Sequence, residues 1–71
     1  MAVKNINYDL VKLLHSKMDN AWRLEKFYCG DAKEAKCHSY EGLKQMLDDE
    51  KRHIELLTKE IKMRLDAGLF N

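Results

Sequence analysis

Residues 43–65 read LKQMLDDEKRHIELLTKEIKMRL, and this stretch, from Leu43 to Leu65, decides the fold. Its apolar residues Leu43, Met46, Leu47, Ile54, Leu57, Ile61 and Leu65 recur at three-and-four spacing, the period of one face of an α-helix. No proline or glycine interrupts it. Upstream, Ser39 is the expected N-cap, and Glu41 stands in the first turn, where the helix dipole favours negative charge. Downstream, Gly68 is the expected residue just past the helix end, with Leu69 and Phe70 folding back onto the last turn. The spacing therefore predicts a helix over about 40–67.

Working outward, a second helix is predicted over about 6–36, with Asn5 or Asn7 as its N-cap. Leu10, Val11, Leu14, Met18, Ala21 and Tyr28 share one face, and Ile6, Leu13, Leu24 and Phe27 lie round the side. Trp22 is expected at the edge of that face as an interface aromatic. The Cys37-His38-Ser39 segment connects the two helices, and so short a link favours an antiparallel hairpin. The expectation is an all-α chain, with 1–71 a single helical-hairpin domain. Two amphipathic helices have only each other to bury against, which leaves much of each apolar face wet. The economical solution is a homodimer, two hairpins completing a four-helix bundle about a two-fold axis.

Composition agrees with this. The 71 residues contain no proline and three glycines, and 35% of them are charged, mostly helix formers. A net charge of +1 draws the chain to neither nucleic acid nor anionic membrane. No apolar run approaches the ~20 residues of a membrane span. Met1 to Asp9 shows no apolar signal segment, so a cytoplasmic location is expected. There Cys29 and Cys37 would be free thiols. With His38 they make a loose three-ligand set, short of the four that structural zinc takes.

The informative residues break the apolar pattern. Rotation at 100° per residue puts Glu50 near the middle of the second helix's face, between Leu47 and Ile54, with His53 at its flank. The same rotation puts Glu25 between Ala21 and Tyr28 on the first helix. Buried carboxylates are costly unless paired or bound to metal. A Glu and a His three residues apart and both facing inward form the ligand arrangement of di-iron carboxylate bundles. Glu25, Glu50 and His53 are thus candidate metal ligands, and two copies would supply four carboxylates and two imidazoles. Iron, manganese and zinc all suit such ligands. The plainer reading pairs Glu50 with a lysine of a partner copy and leaves His53 half exposed at the edge of the face.

Glu25-Lys-Phe-Tyr28, Asp31-Ala-Lys-Glu-Ala35 and the run from Leu43 through Glu50-Lys-Arg-His53 to Leu57 together resemble ferritin-like proteins of the rubrerythrin type. The resemblance covers about residues 18–62. The family's Phe-Tyr pair corresponds to Phe27-Tyr28, and its E-x-x-H motif to Glu50–His53. A full ferritin-like chain has four helices. Two-helix encapsulated ferritins are similar to this chain in completing the bundle and the di-iron site by dimerising. The resemblance implies iron binding, with ferroxidase or peroxide-handling activity at a site built across the dimer. It departs on the first helix, where the family's glutamate falls near Ala21, so Glu25 would have to take its place. The alternative expectation is a non-catalytic helical dimerisation or protein-interaction module with a degenerate metal site.

Overall fold

A computed structural model of the chain describes residues 5–70. The first four residues of the Met1–Asp9 stretch lie outside the described residues. The elements are α1 (Asn5–Arg23), a π-helical turn (Leu24–Tyr28), α2 (Cys29–Glu34) and α3 (Ser39–Asp66). Arg23, Tyr28 and Cys29 all keep right-handed helical backbone angles. α1, the π-turn and α2 therefore form one rod, which packs along α3 as an antiparallel hairpin measuring 49 × 21 × 14 Å. Among the described residues there is no strand, and no helix is long and apolar enough to cross a membrane.

The contact between the helices is a narrow seam. α1 turns Asn7, Leu10, Leu14, Lys17 and Ala21 into it and the π-turn adds Leu24, while α3 turns in Tyr40, Leu43, Leu47, Glu50, Ile54, Leu57, Ile61 and Arg64, all buried or half-buried. Steps of three and four alternate along both series, which is the heptad repeat of helices that pack knobs into holes. Each helix has a single neighbour, so only two positions in seven are covered. Val11, Met18, Tyr28, Met46 and Leu65, placed on the apolar faces by sequence, are consequently about half exposed.

The heptad breaks once, and the break has a cause. Continued as α-helix past Leu24, the seam would next take Tyr28 and Asp31. The π-turn instead bonds the Cys29 N–H to the Leu24 carbonyl, five residues back, and so absorbs one extra residue. Cys29 and Ala32 then enter the seam, and both are buried, while Tyr28 and Asp31 stay exposed. A carboxylate is kept out of a dry contact where it would have needed a partner. The small Ala21 and Cys29 pack with Leu24 and Leu47 against Tyr40, Leu43 and Ile54. Across the turn, the Lys33 ammonium lies 6.0 Å from the centre of the Tyr40 ring.

Both helix ends close in the same way. At the hairpin turn, Cys37 N–H donates to Ala32 O at 2.9 Å and Lys36 N–H to Lys33 O at 3.1 Å. At the C-terminus, Leu69 N–H donates to Arg64 O at 2.8 Å and Gly68 N–H to Leu65 O at 3.0 Å. These are paired Schellman bonds, which need a left-handed residue just past the helix. Gly68 supplies it at φ 72° and Lys36 at φ 55°. Gly68 has the role expected of it, whereas Lys36 carries a side chain in a conformation that suits glycine. Lys36→Gly should raise stability by about 0.5–1 kcal/mol and Gly68→Ala should lower it by about 1 kcal/mol. Urea unfolding measures both. A Cβ at Gly68 would meet nothing within 4 Å, so its cost is backbone strain alone.

Two expected caps are reassigned. Ser39 is the first helical residue and His38 stands in the N-cap position without a side-chain cap bond, because the Ser39 hydroxyl donates to the Cys37 sulfur at 3.0 Å instead. Asn7 is not an N-cap but a seam residue inside α1, with no exposed surface.

Candidate functional site

Four polar residues occupy seam positions, and they meet in pairs. Lys17 Nζ donates to Glu50 Oε1 at 3.1 Å, with side chains 25% and 14% exposed respectively. Near the open end of the hairpin, Arg64 Nε donates to Asn7 Oδ1 at 2.6 Å and Asn7 Nδ2 donates to Leu69 O at 3.0 Å. Arg64 also reaches the Leu69 carbonyl at 3.3 Å, so the segment after Gly68 is tied back across both helices. Polar groups at seam positions fix register, because any slip leaves them facing leucine. The sequence signal for Lys17 and Asn7 was present. Both stand at three-and-four spacing from Leu10, Leu14 and Ala21, and their polarity hid them from a search for apolar residues.

Glu50 is therefore in the middle of the face, as its spacing implies, but its partner is a lysine of the same chain. Its second oxygen, Oε2, is buried and has no hydrogen-bond partner among the described residues. A groove of about 270 Å3 opens beside Glu50, lined by Asn20, Leu24, Tyr28, Leu43 and Met46. The groove has apolar walls, with one carboxylate at its edge.

Glu25 and His53 are elsewhere. Glu25 lies in the π-turn and is exposed. Leu24 holds the seam there, and Glu25, one residue on, points about 100° away from it. The expected central position of Glu25 is thus corrected. His53 is exposed and lines a different groove on the outer side of α3, with Arg52, Glu55, Leu56 and Lys59. Among the described residues, no three His, Cys, Asp or Glu side chains converge as a metal-binding group. Within one hairpin the Glu25, Glu50 and His53 set does not fit a metal ion, and the Lys17 ammonium already holds Glu50 Oε1.

Both cysteines are free thiols, Cys29 buried in the seam and Cys37 exposed at the turn. Hydrogen bonds from the hydroxyl and then the backbone N–H of Ser39 favour the Cys37 thiolate and lower its pKa from the ordinary thiol value. Cys37 should therefore alkylate faster than Cys29 near neutral pH, with a titration midpoint below that of a free thiol. Ser39→Ala should move the midpoint up and slow the reaction. Mass-resolved iodoacetamide kinetics across pH check both.

The remaining ion pairs are local and exposed: Arg23 with Asp19, Lys62 with Asp66, and Arg52 with Asp49. Such pairs contribute little. Trp22 and Phe27 stack edge to face at 5.3 Å on the outside of the rod, next to the Arg23 guanidinium. No protein-family model matches this sequence, and neither a curated protein nor a solved structure matches it, so its chemistry is read from these side chains alone.

Proposed function

We propose that this chain is a self-associating helical hairpin, a non-catalytic structural or interaction module that works in the cytoplasm as a homodimeric four-helix bundle. One quantity carries the reading. The chain exposes 5514 Å2, whereas a compact monomer of 8.4 kDa exposes about 4,600 Å2. The excess of about 900 Å2 is close to the ~800 Å2 that each partner buries in a standard specific interface. Large apolar side chains contribute to the exposed surface: Ile6, Leu13, Trp22, Met46, Leu56 and Met63 are each about half exposed. A small domain gains most from oligomerisation when its own core is a single seam.

Sedimentation equilibrium of the purified chain tests this. The expected result is twice the chain mass at micromolar concentration, with a melting temperature that rises with concentration. A monomer at all concentrations, with helix content intact, would refute it.

A second reading has one observation in its favour, the unpartnered Glu50 Oε2. On that reading the protein is a ferritin-like metal binder, holding iron, or manganese or zinc, between two copies through Glu50 with Glu25 and His53. Bound there, iron would supply Fe(II) oxidation or peroxide chemistry. Elemental analysis of the purified dimer decides it. Metal that is lost in Glu50→Ala, with helix content unchanged, supports it; metal-free dimer indifferent to chelator ends it.

A further inference from the structure

The two flanks of the seam differ in chemistry. On one flank α3 presents Lys44, Asp48, Lys51, Glu55 and Lys62 with one large apolar side chain, Leu65, all exposed, and α1 is apolar there through Val11, Met18 and Trp22. On the other flank, α3 presents Met46, Leu56 and Met63, interrupted by His53 and Glu60, while α1 presents Ile6 and Leu13. Both helices carry large apolar side chains there, with Asp9 and Arg23 of α1 and Asp49 of α3 at the outer edge. The groove beside Glu50 opens on this second flank, since Asn20 and Met46 line it together.

A two-fold interface sets one patch against itself. Across the first flank, α3 would bring three lysines and two carboxylates into the contact, and any of them left unpaired there is costly. Across the second, α3 brings Met46, Leu56 and Met63 to the contact. The second flank also holds a buried carboxylate oxygen without a donor, and such an acceptor costs about 1–3 kcal/mol until one reaches it. The groove-lining side chains that carry a proton to donate are the Asn20 amide and the Tyr28 hydroxyl, both exposed. The π-turn falls beside this groove, as such turns often do at functional positions.

Resting on the proposed self-association, we infer that the occupant of this groove is a second copy of the chain, and that the dimer forms through the Ile6–Leu13/Met46–Met63 flank rather than the Trp22 flank. The Glu50 oxygen then takes its hydrogen bond from the partner, and Lys17 neutralises its charge from within.

The test compares matched substitutions in the full chain. Met46 and Trp22 are 56% and 50% exposed, so Met46→Glu and Trp22→Glu perturb the hairpin to a similar extent while charging opposite flanks. Sedimentation equilibrium should show the dimer dissociation constant raised about 100-fold or more in Met46→Glu, because an isologous contact counts each loss twice. In Trp22→Glu the change should stay within about threefold. Circular dichroism checks that each variant keeps its helices. If Met46→Glu does not, Leu13→Glu, exposed on the same flank, carries the comparison. Dissociation by Trp22→Glu with Met46→Glu still dimeric would overturn the choice of flank and leave self-association standing. A wild-type chain that is monomeric throughout would overturn both.

Discussion

Lys17→Met will destabilise the hairpin by about 2 kcal/mol, although it replaces a charge with an apolar side chain in an apolar seam. The reason is Glu50, whose carboxylate is 14% exposed and depends on the Lys17 ammonium at 3.1 Å. Removing one partner of a shielded pair leaves the other charge uncompensated, and that cost exceeds the net contribution of the pair itself. The double variant Lys17→Met, Glu50→Met should therefore return to within about 1 kcal/mol of the parent, or pass it. Urea unfolding at one fixed protein concentration gives the cycle, since dimerisation shifts apparent stability. A single variant no less stable than the parent would show the pair to be solvated like a surface pair. The double variant carries a second expectation. With that pair gone, the polar contacts of Asn7 and Arg64 remain among the described residues to resist a slip of the two helices, so additional sets of amide resonances should appear. Recovered stability with lost uniqueness would identify the pair as a register lock.

Deleting Lys26 from the π-turn will leave the protein folded, with a melting temperature within a few degrees of the parent or above it. Deleting Lys12 from α1 will remove most of its stability. Both residues are exposed lysines, so composition does not separate them; helical phase does. Without Lys26, the steps from Leu24 to the present Cys29 and Ala32 become four and seven residues. The three-and-four seam then runs unbroken, and the backbone returns to ordinary i to i−4 bonding. Without Lys12, everything before it turns by 100° against α3. Ile6 and Asp9 then take the places of Asn7 and Leu10. The Arg64 contact to Asn7 is lost and a carboxylate enters the seam, at a combined cost of about 3 kcal/mol. A domain this small has about 3–5 kcal/mol in total. Thermal melts followed by circular dichroism distinguish the two. A collapse on Lys26 deletion as large as that on Lys12 deletion would mean that the π-turn is more than an accommodated extra residue.

Helix number, lengths and antiparallel order were legible in the sequence because they rest on local rules. Three-and-four periodicity, a short connection and Gly68 past the last turn each act within a few residues of chain. The expected spans of about 6–36 and 40–67 differ from the helical rod and α3 by one or two residues at each end. The central position of Glu50 was legible for the same reason, since an angle along one helix fixes it.

The partner of Glu50 was not legible, because Lys17 lies 33 residues away in sequence and only the packing of α1 on α3 brings it across. Nor was the exposure of Glu25 and Tyr28. A uniform 100° rotation carries the first-helix face straight through Tyr28, and it cannot show that burying Asp31 one turn later would be costly enough to favour a π-turn. The sequence by itself determined which stretches are helical and which residues break their apolar faces. Only the tertiary structure decided which two positions in seven are covered and which polar residues answer one another. Periodicity is a property of one helix, and a seam is a property of two.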